Sequence, residues 1–258
     1  MTWNEAGGTV SQTFDRWRYT DAQNRAYLRL SAEWSHAAYV RTWKEAEASA
    51  NAAFDPDRHY GDEHVDVFDH AVDGLWPTDY LWLSEASVLK AAVTAFEVYL
   101  EQALQEFLNG YRVTVDGQKC ALQLVTPKNF ESPGWSTLVR AHMVLKNTVD
   151  TPEVTWAREL RHLLTHQNGE LRTQDSLEKF RDTDAEKDRE EIDRAYVGGK
   201  VHLGAERVSR TLDELASVIR AADPVVWSLV WGSGRGEDGK RALAALDQAK
   251  LIETGPAR

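Results

Sequence analysis

The stretch TPEVTWARELRHLLTHQNG, residues 151–169, carries the clearest helix signal of the chain and decides its fold class. Thr151 is a good N-cap residue, and Pro152 suits the first helical position because proline lacks the amide proton that is unpaired there. Asn168-Gly169 supplies a stop, since both residues tolerate a left-handed backbone. We therefore predict a helix that runs from residue 152 to residue 166, with Thr151 as its N-cap.

The side chains of this helix separate into two faces when they are placed at about 100° per residue. The apolar face should point to the core and comprises Trp156, Leu160, Leu163 and Leu164. The opposite face gathers two guanidinium groups, two imidazoles and a hydroxyl, from Arg158, Arg161, His162, Thr165 and His166. Arginine matches phosphate in a bidentate fork, and histidine transfers protons near neutral pH. This face therefore predicts an anion site capable of acid–base chemistry.

A short pattern lies within this polar face: Arg, then Asn, Asp or His, then three residues, then His. Arg161, His162 and His166 fit it, and the chain contains no other match. The pattern is the signature of the HEPN superfamily, and the following turn through Gly169 also looks like that family. The segment 95–100 resembles the family's earlier helix, which often carries an acidic residue near the motif, here Glu97. The resemblance covers residues 80–222.

The resemblance implies an all-α bundle whose two-fold homodimer brings two motif helices face to face, and in active members the pair cleaves RNA without a metal. The RNA 2′-hydroxyl would attack the adjacent phosphorus, with His166 transferring the proton and Arg161 binding the phosphate. His162 would orient or assist. Supporting positions are Glu97, Arg158, Thr165 and Asn168. The family also suggests a bacterial defence or toxin system with an antitoxin or another partner protein.

One position departs from a subgroup of the family, in which a partner nucleotidyltransferase modifies a tyrosine two residues after the motif histidine. This sequence has Asn168 there, so silencing by that route is not expected. The motif face also leaves a second function open, because the same groups suit a non-catalytic helical module. Such a module would dimerise, or bind a protein or a nucleotide, without cleaving RNA.

Composition limits the class of protein further. The net charge is −11, which argues against a protein that coats nucleic acid by general electrostatics but permits a local basic site. A single cysteine, Cys120, excludes an internal disulfide and fits a reducing compartment. The first residues lack the basic start and apolar run of a signal peptide, and no apolar run is long enough for a membrane span. We therefore expect a cytoplasmic protein.

The rest of the chain predicts a mainly α helical bundle with a small β-hairpin insertion. A long helix over residues 21–53 has a stripe of Tyr27, Leu30, Trp34, Ala37 and Arg41. The apolar stripe of a second helix, over 78–108, is Leu89, Val93, Phe96, Leu100, Leu104 and Phe107. Further helices are predicted over 136–146, over 206–222 with Pro224 ending it, and over 237–250, with the hairpin at 111–125. The predicted parts are an N-terminal extension (1–77), a HEPN-like core (78–222) and a tail (223–258).

Three other segments offer weaker signals. Histidines and carboxylates crowd the loop 59–70, and such groups can bind a divalent metal, but their spacing fits no ligand pattern. A metal-dependent hydrolase is therefore a distant third option, and we expect no metal and no cofactor. The glycines of 232–236 predict a flexible link, because the segment lacks the Lys-Ser/Thr pair of a phosphate loop. The charged segment 172–194 predicts a solvated helix or a mobile stretch, and 197–203 a short extended piece.

Overall fold

The computed structural model describes residues 10–53, 77–115, 117–181 and 195–255. Most of these residues are helical and their sheet is small, so the predicted mainly α fold with a β-hairpin is confirmed. The helices are α1 (Gln12–Ala53), α2 (Pro77–Asn109), α3 (Trp135–Val144), α4 (Pro152–His166), α5 (Gln174–Phe180), α6 (Ala205–Val230) and α7 (Glu237–Gln248). The strands β1 (Arg112–Val115), β2 (Gln118–Leu124) and β3 (Ile252–Thr254) form an antiparallel sheet in that order. Within the described ranges, no helix is long and apolar enough to cross a membrane.

The chain divides into two compact units, and neither is continuous in sequence. The first unit consists of the described parts of Met1–Ala22, Lys90–Gly169 and Arg210–Arg258. The second consists of the described parts of Gln23–Leu89 and Glu170–Ser209. The sheet, α3, α4 and α7 belong wholly to the first unit, together with parts of α1, α2 and α6. The predicted boundaries at residues 77/78 and 222/223 stay predictions.

The core of the first unit is built on α2 and α4. The predicted stripe of α2 is confirmed, since every member of it is fully buried. Helix α4 buries Leu160, Leu163 and Leu164 as predicted, and each leucine contributes about 1.5–3 kcal/mol through burial. Trp156 is only half-buried, so its predicted place in the core is wrong. Helical position alone could not reveal this, because Trp156 lies between Leu160 and Leu163 on the helical wheel and both of those leucines are buried.

Both ends of α4 follow the sequence signals. The Thr151 side chain accepts a hydrogen bond from the Val154 amide at 3.2 Å, and proline occupies the first turn. At the other end, Asn168 and Gly169 adopt φ values of 50° and 76°, so the backbone leaves the helix in the left-handed region. The Gly169 amide donates to the Leu163 carbonyl at 3.2 Å. The polar face of α4 is therefore fixed in length and direction by local chemistry.

Helix α1 begins at Gln12, so the predicted start at residue 21 is wrong. Ser11 is the N-cap: its hydroxyl accepts from the Phe14 amide at 3.0 Å. The amide and hydroxyl of Ser11 donate to the buried carboxylate of Asp223, which also accepts from the Tyr99 hydroxyl at 3.1 Å. The next two amides, of Gln12 and Thr13, donate to Glu106 at 3.2 and 3.0 Å. We call Ser11, Tyr99, Glu106 and Asp223 the α1 clamp, because Ser11, Glu106 and Asp223 pair the first amides of this helix and Tyr99 donates to Asp223.

The buried side of α1 is not the predicted stripe. Tyr27 is 41% exposed and Trp34 is 54% exposed, and Ala37 and Arg41 are exposed as well. Over residues 21–53, the buried positions carry mostly small or hydroxyl side chains: Leu28, Ser31, Ser35, Thr42 and Ala46. A stripe chosen by residue hydrophobicity therefore marked the wrong side, because this part of the helix buries mostly small side chains.

Helix α6 continues through Pro224 to Val230, so the predicted stop at that proline is wrong. Proline removes a backbone donor and crowds the preceding turn, which costs about 3 kcal/mol in a helix interior. Beyond the proline, Val226, Leu229 and Val230 are buried. Their burial offsets the cost, since each side chain contributes on the order of 1.5–3 kcal/mol.

The glycines of 232–236 form a packed turn and not the predicted flexible link. A Cβ atom on Gly232 would lie 2.9 Å from both the Ser228 Cα and the Trp227 ring, and one on Gly234 would lie 3.0 Å from the Ser228 hydroxyl. The chain then passes through α7 to β3, which extends the predicted hairpin to three strands.

In the second unit, α5 forms with a capping box at Thr173, and residues 182–194 lie outside the described residues. No strand forms over the predicted extended piece 197–203, which contributes only an isolated bridge between Glu170 and Lys200.

Helix α3 places an imidazole in the core of the first unit. His142 is fully buried, and its Nε2 atom donates to the Leu100 carbonyl at 3.0 Å. Its Nδ1 atom has no hydrogen-bond partner among the described residues. Burial lowers the pKa of His142 to about 4, and the hydrogen bond to Leu100 offsets only part of that shift. The ring is therefore neutral in the folded protein near neutral pH.

Candidate functional site

The polar face of α4 carries the motif residues, and they differ in exposure. His162, Thr165 and His166 are exposed, whereas Arg158 and Arg161 are half-buried. Leu160, Leu163 and Leu164 anchor the other side of the same helix in the core. The helix thus presents its imidazoles outward and holds its guanidinium groups against the protein surface.

Glu97 of α2 joins the two arginines of this face. Its Oε1 atom accepts from Arg158 Nε at 2.7 Å, and its Oε2 atom accepts from Arg161 Nη1 at 2.9 Å. Only 22% of the Glu97 side chain is exposed, so Glu97 is not an ordinary solvated glutamate. One carboxylate faces two guanidinium groups, which leaves the cluster of Glu97, Arg158 and Arg161 with a formal charge of +1. The cluster therefore keeps a net positive charge that can attract an anion.

Arg158 is held from a second side by Trp135, the first residue of α3. The Arg158 Cζ atom lies 3.8 Å from the centroid of the Trp135 ring, which is a close cation–π contact. The ring and the carboxylate together fix Arg158, and Arg158 in turn fixes the carboxylate that Arg161 meets. Sequence reasoning did not identify Trp135, because its 23-residue separation from Arg158 matches no local pattern.

Arg161 keeps most of its donors for another partner. It bonds to Glu97 through Nη1, and no other bond to its guanidinium group is formed by the residues that the structure describes. The Nε and Nη2 atoms can therefore still donate hydrogen bonds to a ligand. The exposed fraction of the Arg161 side chain is 35%. A phosphate could approach this free edge of the guanidinium plane while Glu97 holds the opposite edge.

His162 and His166 lie one turn apart and their rings touch. The ring centroids are 4.4 Å apart and the planes are inclined by 42°. Both residues are exposed, and neither ring has a hydrogen-bond partner within the described part of the chain. Two imidazoles in contact can serve as a proton acceptor and a proton donor on one reacting group.

The remaining predicted positions have less specific places. Thr165 is exposed on the same face and makes no hydrogen bond through its hydroxyl to a described residue. Asn168 occupies the left-handed position of the turn that ends α4, which is a sufficient structural reason for an asparagine there. Cys120 is half-buried in β2 and lies outside this face.

Metal ligands do not cluster in the described ranges: no group of three or more His, Cys, Asp and Glu side chains could hold an ion there. The loop 59–70, with its histidines and carboxylates, lies outside the described residues. Comparison with known proteins finds no protein-family model, no curated protein and no solved structure that matches this chain. The HEPN resemblance therefore rests on the motif residues and their immediate context.

Proposed function

We propose that this protein is a metal-independent endoribonuclease of the HEPN type that acts through the polar face of α4. One observation carries the proposal: Arg161 is anchored to Glu97 by one edge and its other edge is free, on the same polar helix face that carries the exposed pair His162 and His166. A fixed cation that can bind phosphate, on one face with two unengaged imidazoles, is the set of groups that RNA transesterification needs.

The reaction follows from those groups. One imidazole accepts the proton of the RNA 2′-hydroxyl as its oxygen forms a bond to the adjacent phosphorus. The bond from phosphorus to the 5′-oxygen breaks, and a protonated imidazole gives its proton to that oxygen. The products are a 2′,3′-cyclic phosphate and a 5′-hydroxyl, and no water or oxidant is consumed. His166 is the principal proton-transfer residue in this scheme. His162 assists by orienting the reacting groups or by transferring the other of the two protons.

Arg161 stabilises the charge that develops on the pentacoordinate phosphorus. Its planar donors match two phosphate oxygens, and the bond to Glu97 means that little orientation is lost when the phosphate arrives. Glu97 and Arg158 are positioning residues in this account, because they act on the phosphate only through Arg161.

A homodimer through α4 completes the proposed site. A two-fold contact would place a second set of His162 and His166 across the same RNA strand, so that acid and base could come from different protomers. Light scattering at high micromolar concentration tests this step, and a protein that stays monomeric there contradicts it. Membership of a defence or toxin system, with an antitoxin or another partner, rests on the resemblance alone.

The decisive experiment measures cleavage of end-labelled RNA by purified protein with and without EDTA. We expect cleavage that survives EDTA and leaves 2′,3′-cyclic phosphate ends, which enzymatic opening of the cycle would identify. His166→Ala should abolish cleavage, and His36→Ala is the matched control, since it removes an exposed imidazole of α1 outside the motif. Dimers that cut no RNA would favour the non-catalytic module, and cleavage lost in EDTA would favour a metal-dependent hydrolase.

A further inference from the structure

A polar cavity of about 340 Å³ lies between the sheet and the last turns of α2, in the first unit. Strand register explains its polar floor, because Arg112 pairs with Ala121 and Thr114 pairs with Lys119, so these four side chains share one face of the sheet. Ala121 lies on that face opposite Arg112 and has no side chain beyond Cβ. The small alanine therefore leaves a hollow with longer polar side chains around it.

Two unpaired cations line the hollow. Neither Arg112 nor Lys119 forms an ion pair with a carboxylate in the described part of the chain, although the protein carries a net charge of −11. The Arg112 Nη1 atom donates to the carbonyls of Asn109 at 3.1 Å and Tyr111 at 2.9 Å, which fixes the guanidinium plane. The Nε and Nη2 donors of Arg112 remain for a ligand. A held guanidinium group with an ammonium group nearby suits a phosphate.

Three carboxamides complete the polar lining. Gln105 donates to the Asn109 Oδ1 atom and to the Leu122 carbonyl, both at 3.0 Å, which leaves Gln105 Oε1 as an acceptor and Asn109 Nδ2 as a donor. Gln123 donates to Glu253 at 3.0 Å and keeps its Oε1 atom. No aromatic ring lines the cavity, so it offers no surface on which a nucleobase could stack. Fixed donors and acceptors without a ring suit the hydroxyl groups of a sugar.

We propose that this cavity binds a small sugar phosphate, with the phosphate on Arg112 and Lys119 and the hydroxyls on the carboxamides. Its volume falls within the range of small-molecule sites, which is about 300–1,000 Å³. The site is separate in its residues from the polar face of α4, and the proposal does not depend on RNA cleavage.

Isothermal titration calorimetry with ribose 5-phosphate tests the proposal, with ribose, inorganic phosphate and uridine monophosphate as comparison ligands. Ribose 5-phosphate should bind more tightly than either ribose or phosphate, because only the whole molecule engages both parts of the lining. Arg112→Ala should weaken its binding by about tenfold or more, as expected for the loss of a charge-assisted hydrogen bond. Arg241→Ala on α7 is the charge-matched control and should leave binding unchanged.

Ala121→Leu is the second variant, because it fills the hollow and removes no polar group. It should abolish binding while the melting temperature stays at or above that of the wild type, since leucine suits a strand better than alanine. The proposal is overturned if ribose 5-phosphate gives no heat at millimolar concentration, or if either Arg112→Ala or Ala121→Leu binds it as the wild type does. Inorganic phosphate that binds as tightly as ribose 5-phosphate, or uridine monophosphate that binds more than about tenfold tighter, would also overturn it.

Discussion

Glu97 and Asp223 are two carboxylates of the first unit, and each accepts hydrogen bonds from two residues, yet their surroundings are opposite. Glu97 is partly exposed and both of its partners, Arg158 and Arg161, are cations. Asp223 is completely buried and its partners, Ser11 and Tyr99, are neutral. Burial raises the pKa of Asp223, and the hydrogen bonds from Ser11 and Tyr99 offset only part of that effect.

Asp223 therefore has a structural role, whereas Glu97 orients a residue of the candidate functional site. The α1 clamp satisfies the amides at a helix start and leaves no donor for a ligand. Glu106 in the same clamp has a lowered pKa, although burial alone would raise it, because Trp231, Thr13 and Gln12 donate to it. Glu97 instead leaves donors of Arg161 free at the surface. Loss of the clamp should therefore affect folding, and loss of the Glu97 contacts should affect the reaction.

The largest effect is expected at the clamp. Asp223→Ala leaves the Ser11 amide and hydroxyl and the Tyr99 hydroxyl buried without an acceptor, and should lower the free energy of unfolding by about 3–4 kcal/mol. Urea denaturation measures the change. Asp223→Asn, which keeps one carbonyl oxygen, should cost clearly less. A loss under about 1 kcal/mol for Asp223→Ala would mean that the clamp is not needed for stability.

The second-largest effect is expected on RNA cleavage and not on stability. His166→Ala and Arg161→Ala should each slow RNA cleavage by about a hundredfold or more, while unfolding free energies change by less than about 1 kcal/mol. Both side chains lie on the outward face of α4, so their truncation opens no core cavity, and alanine is a better helix former than either residue. Arg161→Lys should not restore the full rate, because lysine lacks the planar fork. Equal cleavage by wild type and His166→Ala would exclude this face as the active site.

The buried imidazole of His142 should make the stability of the protein depend on pH. The unfolded imidazole of His142 gains a proton as the pH falls below about 6.5, whereas the folded one stays neutral until a pKa of about 4. The neutral ring therefore contributes stability in full above pH 6.5, and that contribution is lost as the pH falls towards 4. Between pH 7 and pH 5 the loss should be about 2 kcal/mol.

His142→Gln is the control for this pH effect, because glutamine can still donate to the Leu100 carbonyl but does not titrate. Urea denaturation of both proteins at pH 7 and pH 5 gives the difference, which removes the contribution of all other groups. The protonation of Asp223 acts in the opposite direction, since its raised pKa favours the folded state as pH falls. Identical pH profiles for wild type and His142→Gln would contradict the assignment to His142.

The smallest effect on stability is expected at Glu97. Glu97→Gln should cost about 1 kcal/mol or less, because the two ion pairs are partly exposed and screened by solvent. Cleavage should fall by about tenfold, since Arg161 loses the contact that orients it. Trp135→Leu, which removes the ring beside Arg158, should produce a smaller change in the same direction. A Glu97→Gln protein that cleaves RNA at the wild-type rate would limit Glu97 to a structural role.

Local signals predicted those parts of the fold whose chemistry is local. Thr151 and Asn168-Gly169 fixed the ends of α4 because caps act within one turn. The apolar stripe of α2 could also be predicted, since its large apolar side chains repeat at helical spacing. All of them are buried. The HEPN resemblance pointed to Glu97, but its contacts with two arginines of another helix could not be read from spacing.

Distant partners explain most of the wrong predictions. Serine is a common N-cap residue, but the carboxylate that accepts the hydrogen bonds of the buried Ser11 lies 212 residues away. Pro224 obeys a reliable local rule that the burial of Val226 and Leu229 overrides. The glycines of 232–236 predict a flexible backbone, whereas neighbouring atoms already fill the space around Gly232 and Gly234. In each case tertiary packing decided the structure against the local preference.

The bond between Ser11 and Asp223 has a consequence for synthesis on the ribosome. It joins residues 212 positions apart, inside the unit that also contains Glu97 and the motif helix. Segments made early must therefore wait for Asp223 to emerge before this unit can close, which delays folding relative to translation. A nascent chain that stops before residue 223 lacks one wall of that unit. The motif face becomes part of a finished unit only after Asp223 and the segment around it have been synthesised.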